Sequence, residues 1–506
     1  MKLSALISGI EYELSYGSLQ KQVSGVEYDS RKVSTDSLFV AVIGFESDGH
    51  KYIESAVKSG ASVIAVDKAQ SVFSSEDLRN ISETNDVTIL VFNDTRLALA
   101  LLSKNFYGKS DEELSVIGIT GTKGKTTTSF MMYEIFKTLG DKSGLMGTVY
   151  NIVDGEKRKA VRTTPESKDL YEMMGELKST GSKTAAIEIS SQGLKLHRVG
   201  GLKLKAACFT NFYEDHIAPN EHPDMEDYLL SKLKIFDLTD TAVVNSDCNE
   251  ADRVFEAAKT KCSKVYTYGF SDKSDCYALN IRPEIRNNIV GSAFTLVSPW
   301  YNGELYIPIP GDFNVYNALC AVCAAGICDV PFETLSEALA KVFVPGRLQN
   351  VPNELGFSCI VDYAHNAASL ESVLRNLRSY TKGRIITVFG CGGNRSATRR
   401  FEMGEVSGKL SDFTVITSDN PRDEDPELII GNIVTGIERT DGKYITVIDR
   451  KEAIRKALSE ASKDDLVLIA GKGHEDYQIF ANKRTIHFDD YETASEIVSE
   501  LSLERK

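Results

Sequence analysis

The stretch from Leu114 to Gly140 constrains the fold of this chain more than any other. It reads LSVIGITGTKGKTTTSFMMYEIFKTLG: a short apolar run, a loop with glycines and two lysines, and a segment with apolar residues at helical spacing. Gly140 follows the last apolar position of that segment, where a glycine often ends a helix. The stretch therefore predicts a β-strand, a phosphate-binding loop and an α-helix in succession.

The residue types of this loop are those that hold a polyphosphate. Backbone N–H groups at the start of a helix bind the anion, and glycines let the backbone approach it closely. Lys125 can reach the outer phosphates, and the Thr126 hydroxyl can bind a Mg²⁺ ion that bridges them. We expect a nucleoside triphosphate to contact Gly121, Thr122, Lys123, Gly124, Lys125, Thr126 and Thr127. An ordinary glycine-rich turn with an exposed lysine is the alternative.

Length and charge limit the classes of protein to which the chain can belong. Its 506 residues are enough for about three domains. The 72 acidic and 58 basic residues give a net charge of −14, which argues against non-specific binding to nucleic acids or anionic membranes. No stretch has the apolar length of a membrane span, and the first residues lack the pattern of a secretion signal. We therefore expect a cytoplasmic protein.

Nine cysteines are scattered along the chain. Cys320, Cys323 and Cys328 are the closest set, and they lie in the apolar, helix-like run NALCAVCAAGICDV without neighbouring histidines. This pattern favours reduced core residues over a metal site.

The chain before the phosphate loop alternates between strand-like and helical segments. Three apolar runs, SLFVAVIG, ASVIAVDK and VTILVFND, predict a small α/β domain. The polar turns YDSRKV and GFESDGHKYI flank these strands and are candidate ligand loops, although plain surface turns are the commoner case. The polar stretch GKSDEELS is predicted to be a linker to the next domain.

Three short runs after the phosphate loop, TAAIEIS, KAACFTN and TAVVNSD, predict a parallel sheet. Glu188 ends the first of them, where an acid beside a phosphate loop can bind the Mg²⁺ of the nucleotide directly or through water. A surface glutamate at a strand end is the alternative. Farther on, Asp215 and His216 precede a helix with Lys232 and Lys234. Only one of these lysines can face the nucleotide, because residues two apart on a helix point in different directions.

The last third of the chain repeats one arrangement, an apolar strand that ends in polar or glycine residues. The strand ends carry Asp362, His365, Arg395, Asp419, Arg422, Lys472, His474 and Glu475. Because the carboxyl ends of parallel strands meet in one crevice, these side chains are expected to share a ligand site. The run GCGGNR has Arg395 where a dinucleotide fingerprint has its third glycine, so a nicotinamide site is not expected.

These runs, together with several others, form a recognisable series. The motifs TGTKGKTTT, EISS, FTNFYEDH, SKLKIF, PGRLQNV, VDYAHN, FGCGGNR, SDNPRDEDP and AGKGHEDY occur in the order seen in the Mur ligases, over nearly the whole chain. The chain therefore resembles the Mur ligase family. The resemblance implies an α/β fold of three domains: residues 1–108 for the UDP-substrate, residues 109–343 as a P-loop ATPase-type parallel sheet, and residues 344–506 as a Rossmann-like domain for the amino acid.

The resemblance also implies roles for single residues. For the UDP-substrate it indicates Ser30, Thr163, Thr164, Ser191 and Arg198. For catalysis it indicates Lys125, Glu188, His216 and Lys232, of which Glu188, His216 and a carbamylated Lys232 bind Mg²⁺ with Thr126. For the amino acid it indicates Arg395, Asp419, Asn420, Pro421, Arg422, Gly471 and Glu475. Residues 419–422 match the motif of members that select meso-diaminopimelate.

The implied activity is an ATP- and Mg²⁺-dependent ligase of peptidoglycan synthesis, and hence of cell wall biogenesis, cell shape and division. It adds meso-diaminopimelate to UDP-N-acetylmuramoyl-L-alanyl-D-glutamate through an acyl phosphate, and we expect a monomer. Departures from the family pattern at Arg162, Leu196 and Ala218 concern mainly the UDP-substrate. L-lysine as the amine and a different acceptor therefore stay open, as do a P-loop phosphotransferase and a catalytically silent relative.

Overall fold

The computed structural model describes residues 1–44, 47–219 and 221–504. Two compact units make up the chain: Met1–Cys276 with Cys320–Thr334, and Tyr277–Leu319 with Leu335–Lys506. This division does not test the predicted domain boundaries after residues 108 and 343, which stay a prediction. None of the helices in the described ranges has the length and apolar content that a membrane span requires.

The first unit begins with a five-stranded sheet. Its strands are β1 (Glu13–Tyr16), β2 (Gly25–Glu27), β3 (Ser37–Val40), β4 (Val63–Asp67) and β5 (Thr88–Phe92), and its helices are α1 (Leu3–Leu6), α2 (Ile53–Lys58), α3 (Ser75–Asn85) and α4 (Thr95–Phe106). The order is β1-β5-β4-β3-β2, with β1 antiparallel to β5. The three predicted strands are confirmed as β3, β4 and β5. The other two strands, of four and three residues, are too short to give a period-two pattern.

The stretch predicted as a linker is packed into this unit. Residues Ser110–Glu112 form a short 3₁₀-helix, and Asp111 is buried. Its Oδ2 accepts hydrogen bonds from Lys104 Nζ at 2.7 Å and from the Lys203 N–H at 2.8 Å. The segment is therefore packed against its neighbours, and its assignment as the connection between two domains stays a prediction.

A second sheet in the first unit carries the phosphate loop. Its strands are β6 (Ser115–Thr120), β7 (Gly144–Met146), β8 (Tyr150–Val153), β9 (Glu156–Lys159), β10 (Thr184–Glu188), β11 (Ala206–Phe209), β12 (Thr241–Asn245) and β13 (Lys264–Gly269). The helices are α5 (Lys125–Thr138), α6 (Ser167–Ser179), α7 (Ser191–Lys195), α8 (Met225–Leu233) and α9 (Ala251–Lys261). The order is β13-β12-β11-β6-β10-β7-β8-β9, and the pairs from β12/β13 to β10/β7 are parallel. The predicted parallel sheet is confirmed, with β6 between β10 and β11.

The second unit contains three antiparallel strands, β14 (Cys276–Arg286), β15 (Ile289–Val297) and β16 (Asn302–Ile307). The first residue of β14, Cys276, still belongs to the first unit, and the second unit begins at Tyr277. Its larger sheet has β17 (Gln349–Asn350), β18 (Ser358–Asp362), β19 (Ile385–Phe389), β20 (Phe413–Ile416), β21 (Tyr444–Thr446) and β22 (Leu466–Ala470), followed by a hairpin of β23 (Tyr477–Ile479) and β24 (Thr485–His487). The remaining helices of the chain are α10 (Asp312–Ile327), α11 (Phe332–Lys341), α12 (Ala367–Arg378), α13 (Ala397–Leu410), α14 (Pro426–Ile437), α15 (Arg450–Glu460) and α16 (Asp490–Glu504).

The order of the larger sheet is β17-β18-β22-β19-β20-β21, and all of its pairs are parallel except β17/β18. The five strands predicted for the last third of the chain are confirmed as β18, β19, β20, β21 and β22. Because β22 lies between β18 and β19, the GKGHE motif after β22 lies between the YAHN motif after β18 and the GCGGNR motif after β19. The order of these motifs in the sequence does not show this arrangement.

The nine cysteines are free thiols, and eight of them are buried. Burial raises the pKa of the Cys262 thiol to about 11 and that of Cys391 to about 12. Of the three cysteines predicted to be reduced core residues, Cys320 and Cys323 are buried and Cys328 is partly buried.

An ion pair between α15 and α16 is fully buried in the second unit. Both Arg450 and Asp490 have side chains with no exposed area. Arg450 Nε and Nη2 donate to the two oxygens of Asp490, each at 2.7 Å, and Nη2 also donates to the Ala470 carbonyl oxygen at 3.0 Å. The pair joins both helices to the end of β22.

We expect Arg450→Met and Asp490→Asn each to lower the free energy of unfolding by about 3 to 5 kcal/mol, because each leaves an uncompensated buried group. Lys451 and Glu496 form an exposed pair between the same helices, with 3.1 Å between Nζ and Oε2. Lys451→Ala is the matched control and should cost about 1 kcal/mol or less. Urea unfolding measures the free energy of unfolding of each variant. A loss in Lys451→Ala as large as that in Arg450→Met or Asp490→Asn would contradict the prediction.

Candidate active site

The phosphate loop joins the carboxyl end of β6 to α5, which confirms the predicted strand, loop and helix. Gly121 has a φ of +142°, and a Cβ at this position would lie 2.0 Å from Thr210 Oγ1, so only glycine fits. Gly124, with a φ of +86°, is the N-cap residue, and the helix begins at Lys125. The N–H groups of the first helical turn have no partner within the helix and can bind phosphate oxygens.

The residues that follow β11 hold the loop in place. The Thr122 N–H donates to the Asn211 carbonyl oxygen at 3.0 Å, and the Lys123 N–H donates to Asn211 Oδ1 at 2.8 Å. Thr210 Oγ1 donates to the Lys123 carbonyl oxygen at 2.6 Å. The sequence analysis did not assign roles to Thr210 and Asn211. Their only signal was their position at the end of a strand beside β6.

Two lysine side chains meet at the Gly121 carbonyl oxygen. Lys125 Nζ donates to it at 2.9 Å, and Lys232 Nζ donates to it at 2.8 Å from helix α8. Lys232 is buried, and this burial, with the nearby charge of Lys125, holds its pKa well below the usual value. Lys234 is exposed, as expected for a residue two positions farther along.

Glu188, at the end of β10, is a buried carboxylate that accepts hydrogen bonds from neutral groups. Thr126 Oγ1 donates to Oε2 at 2.9 Å, and the Thr148 N–H donates to Oε1 at 2.9 Å. A Cβ at Gly147 would lie 2.2 Å from Oε1, so the adjoining chain needs glycine there. Burial raises the pKa of Glu188, and no lysine, arginine or histidine of the described ranges forms an ion pair with it. A bound cation would complete this environment.

Tyr228 contacts several of the predicted site residues. Its hydroxyl donates to Thr122 Oγ1 at 3.2 Å. Lys232 Nζ lies 4.4 Å from the centroid of its ring, and the His216 ring lies 5.6 Å from it. His216 is exposed, and its Nδ1 is 2.8 Å from Glu221 Oε2. One aromatic ring thus brings together the phosphate loop, Lys232 and His216.

The residues predicted to hold the muramoyl peptide lie near Glu188. Thr164 Oγ1 donates to the Glu188 carbonyl oxygen at 3.0 Å, and Thr163 Oγ1 accepts a hydrogen bond from Thr148 Oγ1 at 3.1 Å. Ser191 follows Glu188 by three residues and begins α7. Thr164 thus contacts the backbone of Glu188, and Thr148 connects Thr163 with the Glu188 carboxylate.

A cavity of about 680 Å³ lies beside the N-terminal sheet of the first unit. Both predicted ligand loops line it, with Ser30 among the residues of the first. Phe45 and Glu46 of the second loop lie outside the described residues. Arg162 and Glu166 form part of the wall, and Arg198 Nε donates to Glu166 Oε1 at 3.0 Å.

The second unit has a cavity of about 270 Å³ at the carboxyl ends of β18, β19, β20 and β22. Six of the seven residues predicted for the amino acid line it: Arg395, Asp419, Asn420, Arg422, Gly471 and Glu475. The seventh, Pro421, is buried and does not line the cavity. Arg422 Nη1 donates to the Gly393 carbonyl oxygen at 2.6 Å. Of the eight strand-end side chains expected to share one site, five line this cavity: His365, Arg395, Asp419, Arg422 and Glu475. Asp362, Lys472 and His474 do not line it.

Lys472 was expected among the ligand-site residues, but it lies behind the lining of this cavity. Its side chain is fully buried, with Nζ 3.4 Å from Glu475 Oε2 and 3.3 Å from Asn420 Oδ1. Asn420 Nδ2 donates to the same Glu475 oxygen at 3.0 Å. These contacts hold one carboxylate oxygen of Glu475 in place.

Comparison with known proteins places the chain in a family. Residues 22–107 match the model "Mur ligase family, catalytic domain", residues 119–325 match "Mur ligase middle domain", and residues 346–473 match "Mur ligase, glutamate ligase domain". A Clostridium botulinum protein named UDP-N-acetylmuramoyl-L-alanyl-D-glutamate–2,6-diaminopimelate ligase is 40% identical over 504 residues, which are 99% of this chain and 100% of the relative. The chain belongs to the Mur ligase family.

Other relatives are similar to this Mur ligase over nearly its whole length. A Caldanaerobacter subterraneus protein of the same name is 40% identical over 99% of both chains. A solved structure of a ligase with that name is 27% identical, has a TM-score of 0.74, and matches over 99% of both chains. The predicted family and its three-domain α/β fold with a mainly parallel central sheet are confirmed.

His474, in the loop after β22, is a partly buried histidine that is neutral near pH 7. Its Nδ1 has no hydrogen-bond partner within the described ranges, and its ring lies 4.9 Å from that of Tyr363. Burial, with the nearby charge of Arg347, lowers its pKa to about 4. The unfolded chain takes up this proton near pH 6.5, whereas the folded protein does so only near pH 4.

We expect the contribution of His474 to stability to be complete above about pH 6.5 and to be lost as the pH falls toward about 4, because only the unfolded state binds the proton in that window. His474→Gln removes the titrating group, so its free energy of unfolding should depend less steeply on pH between these values. Urea unfolding at several pH values measures the two slopes. The same slope in both proteins would contradict the assignment.

Proposed function

We propose that this protein is an ATP-dependent, ADP-forming ligase. In the proposed reaction it joins meso-diaminopimelate to UDP-N-acetylmuramoyl-L-alanyl-D-glutamate in peptidoglycan synthesis. The observation that carries the proposal is end-to-end similarity to proteins named for this reaction, at 40% identity over 504 residues. The two lysines at Gly121 and the buried Glu188 support a phosphoryl-transfer step at the phosphate loop.

The proposed reaction has two steps. A carboxylate oxygen of the D-glutamate attacks the γ-phosphorus of ATP, which forms an acyl phosphate and releases ADP. The amine nitrogen then attacks the acyl carbon, inorganic phosphate leaves, and the nitrogen loses a proton. Positioning and neutralisation of charge supply most of the catalysis in such reactions. Lys125, at the start of α5, is the positive group next to the outer phosphates.

The residues near Glu188 fit a Mg²⁺ ion in part. Glu188 is a buried carboxylate without an ion-pair partner in the described ranges, and the Thr126 hydroxyl lies 2.9 Å from its Oε2. The described residues contain no ready-made cluster of three or more His, Cys, Asp or Glu side chains for a metal. Glu188, Thr126, His216 and a modified Lys232 are the proposed ligands, with the phosphates. The ion, when bound, neutralises charge on the phosphates that react.

Lys232 is the proposed carbamate. Its lowered pKa makes the neutral amine available, and that amine attacks the carbon of CO₂ to give a carbamic acid, which loses a proton. The product places a negative charge near Lys125. Such a planar oxygen donor suits Mg²⁺, which prefers oxygen ligands.

The cavity of the second unit is the proposed site for the diamino acid. Arg395 and Arg422 can each bind a carboxylate with two parallel hydrogen bonds, which lysine cannot do. Asp419 and Glu475 supply negative charge for an ammonium group. These groups match the zwitterionic ends of diaminopimelate.

Several finer expectations belong to the same proposal. The protein is a cytoplasmic monomer, with domains at residues 1–108, 109–343 and 344–506. The cavity lined by Ser30 takes the UDP end, and Thr163, Thr164, Ser191 and Arg198 hold the muramoyl dipeptide.

Phosphate release with a panel of UDP-muramoyl peptides and amines tests the function. The ligase should release ADP and phosphate only when both an acidic acceptor and an amine are present. A phosphotransferase should form ADP from the acceptor alone and release no phosphate, because the phosphoryl group stays on its product. Lys125→Ala should be inactive. Turnover without any amine would contradict the ligase, and an amine preference for L-lysine would correct its substrate.

We expect Arg422→Ala to reduce the preference for meso-diaminopimelate over L-lysine by at least about tenfold in kcat/KM, because lysine lacks the carboxylate that the guanidinium binds. Arg439→Ala is the control, since Arg439 is exposed and does not line the cavity. The two amines are compared at saturating ATP and acceptor. An unchanged preference in Arg422→Ala would show that Arg422 does not determine which amine is used.

We expect Lys232→Ala to lose activity by about 100-fold or more, because the site loses both the carbamate and the hydrogen bond to Gly121. Added short-chain carboxylates should restore part of the activity. Lys234→Ala is the matched control and should stay active. Full activity of Lys232→Ala, or the absence of rescue together with unchanged wild-type activity after CO₂ removal, would exclude the carbamate.

A further inference from the structure

Three polar side chains of the first unit, Ser191, His222 and Asp227, are joined by hydrogen bonds. His222 Nε2 lies 2.9 Å from Ser191 Oγ, and His222 Nδ1 lies 2.5 Å from Asp227 Oδ2. The His222 side chain has no exposed area, and Ser191 is buried. No role from the resemblance falls on His222 or Asp227.

The elements around His222 each provide a fixed partner. Helix α8 supplies Asp227 and also Tyr228, whose ring centroid lies 5.0 Å from that of His222. Helix α7 supplies Ser191 and Lys195, and Lys195 Nζ donates to Asp227 Oδ2 at 2.6 Å. Burial raises the pKa of Asp227, but the hydrogen bonds from Lys195 and His222 outweigh it and leave the pKa below the usual value.

An ionised Asp227 determines which ring nitrogen carries the proton. A carboxylate accepts hydrogen bonds only, so Nδ1 of His222 must be protonated. The ring therefore cannot turn over without losing this bond, and Nε2 stays directed at Ser191. A serine hydroxyl otherwise samples three staggered rotamers, and a single firm partner selects one of them.

We propose that His222 and Asp227 are positioning residues that hold the Ser191 hydroxyl in one orientation for the muramoyl-peptide acceptor. The inference rests on the proposed function, in which Ser191 contacts that acceptor. A hydroxyl that is already oriented loses less entropy when the ligand binds and offers its hydrogen bond at the correct position. The effect should therefore appear in the use of the acceptor and leave the binding of ATP unchanged.

A double-mutant cycle tests whether His222 acts through Ser191. The variants are His222→Phe, which keeps a ring next to Tyr228 but loses both hydrogen bonds, Ser191→Ala, and the combination. Phosphate release at saturating ATP and diamino acid gives kcat and KM for UDP-N-acetylmuramoyl-L-alanyl-D-glutamate. We expect each single variant to lose about tenfold in kcat/KM for this acceptor, with the KM for ATP changed by less than about twofold.

The decisive comparison is the combined variant. If His222 acts through Ser191, the combination should be no worse than Ser191→Ala alone. Additive losses, or an equal rise in the KM for ATP, would overturn the inference. Asp227→Asn should resemble His222→Phe, whereas Glu226→Gln, at the neighbouring exposed carboxylate paired with Arg253, should match the wild type.

A second pair of variants covers the case in which His222→Phe does not fold, as judged by thermal melting. The side chain of His222→Gln is long enough to reach Ser191, and that of His222→Asn is not. The Gln variant should exceed the Asn variant in kcat/KM for the acceptor only when Ser191 is present. A difference that persists in Ser191→Ala would overturn the inference. Wild-type protein that releases no phosphate with this acceptor and any amine would instead overturn the proposed function.

Discussion

The hydrogen bonds from two lysines to one backbone carbonyl oxygen are the interaction on which the nucleotide site depends. Lys125 and Lys232 come from different helices, yet both donate to the Gly121 oxygen. The contact requires a glycine with a φ of +142° in the loop. It also requires helix α8 to pack against the loop, so that Lys232 is buried. Burial and the neighbouring positive charge together explain why the pKa of Lys232 is lowered.

The same site buries a glutamate without an ion pair from the described residues. Neutral hydroxyl and amide groups donate hydrogen bonds to Glu188, and the charge of Lys125 is the positive charge near it. The site thus has the amines of Lys125 and Lys232 and the carboxylate of Glu188. The amines suit the phosphates of a polyanionic substrate, and the carboxylate suits its divalent cation. Tyr228 connects both parts with His222 and therefore with Ser191. The acceptor side and the nucleotide side are thus parts of one packed cluster.

Elements with a strong local pattern were predicted correctly, and those without one were not. The apolar runs gave the correct positions of β3 to β6 and of β18 to β22, because a buried parallel strand is apolar along its whole length. The hairpin of β23 and β24 was not predicted. The short strands β1 and β2 were missed. The polarity of the segment around Asp111 did not reveal that Asp111 is a buried acceptor. His222 and Asp227 were missed because they lie five positions apart, in the segment HPDMED, to which the sequence analysis gave no role.

The sequence by itself determined the phosphate loop, the parallel strands, the family and the residues that end each strand, since each of these depends on a local run of residue types. Only the tertiary structure decided which side chains meet. Lys232 reaches Gly121 across 111 residues, and His222 reaches Ser191 across 31. It also decided which of these groups are buried. Burial sets their pKa values, because the cost of a charge depends on the surrounding medium, and no residue carries that information in its type or spacing.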